Sequence, residues 1–97
     1  DARPPAPAGV RAIIDEFLAG TDPALTLPDR LAAAGLAALE QVVARPSERR
    51  TAPTLLAADA LLTYACEAAA EAGPETLDRL TRDLDFERFS QLMPEER

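Results

Sequence analysis

From Thr54 onward the chain reads TLLAADALLTYACEAAAEA before it meets Gly73, with no glycine or proline inside except at that end. No other stretch is as long and as rich in apolar residues. A run built mainly of Ala and Leu favours one conformation, the α-helix. Ala loses no side-chain freedom there and Leu loses little. The run predicts a central helix over residues 53–72, with Pro53 in its first turn and Gly73 at its end. The other segments are expected to pack around it.

The rest of the chain carries the same bias. The 97 residues include 21 Ala and 14 Leu, against four aromatics: Phe17, Tyr64, Phe86 and Phe89. β-Branched residues are scarce, which argues for an all-α fold over a sheet. A chain of this length makes one domain and buries roughly 60–65% of its unfolded surface, enough for one modest core. The expected architecture is all-α: a compact bundle of four main helices plus a short C-terminal helix.

Taken in order, residues 1–9, DARPPAPAG, hold three prolines and read as a disordered or extended tether. A first helix is expected from residue 8 or 9 to Ala19. Val10, Ile13, Ile14, Phe17 and Leu18 recur at i, i+3, i+4, i+7 and i+8, and Gly20 stops it. Asp22 and Pro23 signal a cap and a single turn. A second helix is expected from about Pro28 until Pro46. Leu31, Ala32, Gly35, Leu36, Ala38, Leu39, Val42 and Val43 share its apolar face. Gly35 stands mid-face, where glycine costs about 1 kcal/mol relative to Ala. Close approach of another helix is the expected compensation.

On the central helix, the wheel puts Leu55, Ala58, Leu61, Leu62, Ala65, Cys66, Ala69 and Ala72 on the buried side. Asp59, Thr63, Tyr64, Glu67 and Glu71 fall opposite. A fourth helix is expected from Pro74 with Leu77, Leu80 and Leu84 inward. Its polar face pairs Glu75 with Arg79, Asp78 with Arg82 and Arg79 with Asp83 at i,i+4. The apolar phase then breaks. Phe86, Phe89 and Met93 fall out of line with Leu84, so either Asp85 caps a separate short helix or one helix presents two apolar faces. The separate helix is the expectation. The domain would span residues 10–94, with 95–97 frayed.

Charge and missing residue types exclude several functions. The net charge is −7, and no lysine accompanies the ten arginines. A nucleic-acid duplex needs a clustered basic face, so nucleic acid is not expected as a partner. Absence of histidine removes histidine acid–base chemistry and most metal-site designs. The single cysteine, Cys66, cannot form an internal disulfide, and a reducing, cytoplasmic location is the default. No apolar run reaches the roughly 18 residues of a membrane span.

Residues 55–67, LLAADALLTYACE, are similar to a core-helix signature of the trans-isoprenyl diphosphate synthases, an α-helical prenyl-transfer family. That family tends to carry Gly where this chain has Ala58, before Asp59. Its Asp-rich DDxxD magnesium motifs are absent from the sequence, and 97 residues cannot enclose its active-site cavity. No functional residue carries over. At most the resemblance implies a fragment or decayed relative.

Two groups remain as candidate sites. Arg45, Arg49 and Arg50 form the one basic cluster, beside the start of the central helix, where backbone N–H groups and guanidinium groups together suit an anion. Pairing with the chain's own acids is the plainer reading. Phe86, Phe89, Leu92 and Met93 form an apolar group that either closes the core or faces a partner, since aromatics and Met are enriched at interface cores. No catalytic residue, cofactor or metal ligand is assigned. The favoured expectation is a small acidic interaction or regulatory module without catalytic activity, docking on another protein or on a second copy as a homodimer. Two alternatives stay open: a remnant of a helical enzyme using Asp59, Glu67 and a divalent ion on a phosphorylated substrate, and an acidic decoy of a nucleic-acid-binding protein.

Overall fold

The computed structural model describes residues 8–92, with side chains described for residues 9–85. Four helices follow one another: α1 (Ala8–Ala19), α2 (Leu27–Ala44), α3 (Thr51–Ala72) and α4 (Pro74–Leu92). No strand occurs among the described residues. α2 and α3 form the most extensive pair. α1 lies against both, and α4 packs on α3 and more lightly on α2. Among the described residues α1 and α4 do not meet.

Each helix end has a local cause. α1 closes with two tight turns, in which the Gly20 and Thr21 N–H groups donate to the Phe17 and Leu18 carbonyls. The Thr21 hydroxyl also donates to Leu18 O, at 2.6 Å. Arg30, from the first turn of α2, completes this end. Its Nη2 donates to Leu18 O at 3.2 Å and its Nε to Thr21 Oγ1 at 3.0 Å. A guanidinium at a helix C-terminus meets the negative end of the macrodipole and the unsatisfied carbonyls together. It also fixes α1 to α2 across the 20–26 connection. There Asp22 accepts from the Ala24 and Leu25 N–H groups, through its side chain and its carbonyl respectively. Thr26 caps α2, accepting from the Asp29 N–H at 3.4 Å, and Pro28 sits in the first turn where its missing N–H costs nothing.

α3 starts at Thr51, two residues ahead of the Pro53 start expected from sequence. Pro53 tolerates this because the first turn needs no donor from it. Thr51 N–H donates to Glu48 O and Thr54 N–H to Arg50 O, so the helix is already wound around the proline. Gly73 ends α3 at φ 137°, ψ 161°, a conformation open in practice to glycine alone. Its N–H donates to Ala69 O at 3.1 Å, and its carbonyl accepts from Leu77 N–H in α4. One residue thus closes one helix and opens the next.

α4 does not break at Asp85. It runs as one helix from Pro74 to Leu92, so the separate short helix expected near Phe86 is replaced by a continuous one. No glycine or proline lies between Glu75 and Leu92. The ion pairs Arg82–Asp78 at 2.7 Å and Arg79–Asp83 at 3.3 Å brace successive turns of its exposed side. Out-of-phase apolar residues alone do not interrupt backbone hydrogen bonding. The backbone thus follows the one-helix alternative over Pro74–Leu92.

The core is built from Val10, Ile13 and Ile14 of α1, Leu31, Ala32, Ala34 and Ala38 of α2, a line of α3 residues, and Leu80 and Leu84 of α4. Alanine dominates its centre: Ala34, Ala38, Ala57, Ala65 and Ala69 are fully buried. Small side chains bring helix axes close, and Gly35 takes this furthest. A Cβ built there would lie 2.8 Å from Leu62 Cγ and Cδ2 and 3.2 Å from Leu61 Cβ. The expected close approach at Gly35 is therefore present, and its partner is α3. Leu61 is the largest fully buried side chain, and Thr54 is the other large one.

The inward side of α3 is rotated from the expected one. Thr54, Ala57, Ala58, Leu61, Ala65 and Ala69 are buried. Leu55, expected inside, is 48% exposed, and Ala72 is exposed. Tyr64, expected on the wet side, is half-buried against the core, and Cys66 is half-buried where full burial was expected. Apolar residues wrap most of this helix, so its sequence defines no single inward direction. Packing against α2 chooses it.

Candidate functional site

The rotation of α3 leaves an apolar strip uncovered. Leu55, Leu62, Cys66 and Ala70 recur at i, i+7, i+11 and i+15, one line along the helix. Beside Leu62, Cys66 and Ala70, α4 contributes Leu77 and Leu84. Together they wall a groove of about 500 Å³ between the two helices. Beyond Leu62 the line continues into a second, smaller hollow of about 200 Å³, between Leu55 of α3 and Leu39 of α2. Leu62 lines both, so the two depressions adjoin. Leu56, next to Leu55 near the N-terminal end of α3, is 57% exposed.

Polar groups stand at the margins. Thr63 and Thr81 place hydroxyl-bearing side chains at the groove, and Asp85 and Glu67 line its edges. Asp59, exposed, lines the second hollow. Among the described residues no arginine lines either depression. Several arginines of the described surface are engaged elsewhere: Arg50 with Glu16, Arg79 with Asp29 and Asp83, Arg82 with Asp78. These pairs intersperse the two signs over the surface.

The sequence-derived candidates fall as follows. Arg45, Arg49 and Arg50 are all exposed in and beside the 45–50 turn. Arg50 Nη2 donates to Glu16 Oε1 at 3.0 Å, and Arg45 Nη1 stands 3.7 Å from Glu48 Oε2. The α3 N-terminus beside them has little left to offer an anion. The Thr51 and Thr54 N–H groups are already used, and Pro53 has none. Thr51 Oγ1 donates to Arg45 O at 2.6 Å, tying the turn to the helix. Thr54 Oγ1, 1% exposed as a residue, has no hydrogen-bond partner among the described residues. The crevice above it, between Gln41, Arg45 and Arg50, leaves no volume for a guest. Phe86, Phe89 and Leu92 belong to α4 by backbone, and their side chains lie outside the described residues; Met93 lies outside them altogether.

Asp59 and Glu67 share the outer side of α3 but are eight residues apart, about 12 Å along the axis. Among the described residues no three of Asp, Glu, Cys or His gather where they could share a metal ion. No helix of the described residues is long and apolar enough to cross a membrane.

Of the groove residues, Leu62, Cys66, Leu77 and Leu84 carry the sequence pattern of core. The signal that they were not all core was the width of the apolar arc on α3, more than its neighbours could cover.

No protein-family model matches the chain, and no curated protein or solved structure matches it.

Proposed function

We propose that this chain is a small acidic helical interaction module that acts by docking another protein segment, without chemistry of its own. One observation carries the reading: the uncovered apolar strip on α3, from Leu55 through Leu62 to Ala70, bordered by the half-buried Leu77 of α4, with the exposed Leu56 next to Leu55 in the chain. Leaving a Leu half-exposed forgoes part of the roughly 1.5–3 kcal/mol its burial supplies. Contiguous exposure of several such groups is a mark of interaction surfaces. The Ala-rich packing of α2 on α3 supports the same reading, since it provides a rigid backing for the strip.

The test pairs two measurements on the intact chain and on a double variant, Leu55→Asp with Leu56→Asp. Light scattering across a wide concentration range reads self-association, and affinity capture from the native cell extract reads other partners. The reading expects a self-associated mass or a captured protein that the double variant loses. A monomeric chain whose captured proteins are the same for both forms removes it.

A further inference from the structure

Resting on the interaction-module reading, we propose that the α3–α4 groove and its continuation receive an amphipathic helix whose apolar ridge is flanked by Lys or Arg. Three observations specify that occupant. The first is length. The line from Leu55 to Ala70 covers fifteen residue steps, about 22 Å at 1.5 Å per residue, which matches a helix of roughly four turns. The second is shape. The site is an open trough between α3 and α4, walled by Leu62, Cys66, Leu77 and Leu84, with Thr63, Glu67, Thr81 and Asp85 also lining it. Such a trough accepts side chains arriving at i, i+3, i+4 and i+7 from one helix face.

The third observation is charge. Asp59 stands within the strip, one turn after Leu55. Glu67 and Asp85 line the groove, and no arginine lines either depression among the described residues. The whole chain carries −7. A cationic flank on the incoming helix meets these acids at the rim, where charge complementarity sets partner choice and association rate more than affinity. A second copy would bring the same two aspartates and the same net charge to the same rim. Like charges so placed disfavour it.

The experiment uses the full chain and a fluorescent peptide of about 15 residues with Leu at i, i+3, i+4 and i+7 repeats and Lys on both flanks of the ridge. A matched peptide carries Glu in place of every Lys. Fluorescence anisotropy is read for the unaltered chain, for Ala70→Arg in the groove, and for Ala37→Arg, an exposed α2 position outside it. Both variants change the net charge equally. The proposal expects the Lys peptide to bind at least about tenfold tighter than the Glu peptide, with Ala70→Arg weakening it about tenfold and Ala37→Arg by less than about twofold. Equal weakening by both variants means the peptide senses net charge alone, and overturns the proposal. So does equal binding of both peptides, or binding of neither. A dimer that Ala70→Arg dissociates would assign the groove to a second copy; that result ends this proposal and leaves the interaction-module reading standing. Loss of both peptide binding and variant-sensitive capture would end the two together.

Discussion

Gly35 on α2 and Leu62 on α3 occupy what would otherwise be the same space. A Cβ on residue 35 would stand 2.8 Å from two carbons of the Leu62 side chain. The same Leu62 then shows its other side to the groove and to the hollow beyond it. Helix approach and the uncovered strip are thus set by a single contact.

Gly35→Ala tests that contact. Alanine gains about 1 kcal/mol in helix propensity over glycine, whereas overpacking a tight interface costs about 1–3 kcal/mol. The neighbouring Leu61 Cβ, at 3.2 Å, blocks escape of the new methyl to one side. The expected net change is a destabilisation of about 1 kcal/mol, a fall in Tm of roughly 4–8 °C for a domain of this size. An unchanged or raised Tm in a thermal melt followed by circular dichroism would show that Leu62 moves aside freely.

Thr54→Val should stabilise the fold. The Thr54 hydroxyl is buried and has no hydrogen-bond partner among the described residues. Leaving such a group unsatisfied costs about 1–3 kcal/mol, and valine keeps the shape. Urea unfolding is expected to show a gain of about 1 kcal/mol, with an unchanged m-value. A loss of stability would mean that the hydroxyl has a partner after all.

The rotation of α3 is tested by comparing leucines. Leu61→Ala, at a fully buried site, should cost about 2–5 kcal/mol. Leu55→Ser and Leu56→Ser, at sites 48% and 57% exposed, should each change stability by less than about 1 kcal/mol. Chemical denaturation of the three variants distinguishes this arrangement from the one the helical wheel suggests, in which Leu55 would cost as much as Leu61.

Gly73→Ala probes the α3–α4 corner. At φ 137° a Cβ is strained whatever space surrounds it, and nothing lies within 4 Å to clash. The expected cost, about 1–3 kcal/mol, is therefore backbone strain alone. Stability equal to that of the parent chain in urea would place the corner in a different backbone conformation.

Much of the fold was legible in the residues. The α1 stripe of Val10, Ile13 and Ile14 and the Gly73 corner follow from side-chain chemistry acting over a few residues, and the glycine at position 35 signalled a close helix approach without naming its partner. The candidate interface was less so. The groove residues Leu62, Cys66 and Leu77 had the pattern of core residues. Neither Arg50, held by Glu16 from α1, nor Leu55, left outside, announces its environment along the chain.

What the sequence by itself determined is helix existence and the points where helices stop. Propensity, caps, proline and glycine act locally, and they leave little choice at Gly20 or Gly73. Only tertiary structure decided which arc of α3 turns inward. An apolar surface that nearly encircles a helix has no preferred direction. The direction comes from where α2 can approach closest, beside the missing Cβ of Gly35, and the arc left over becomes the groove.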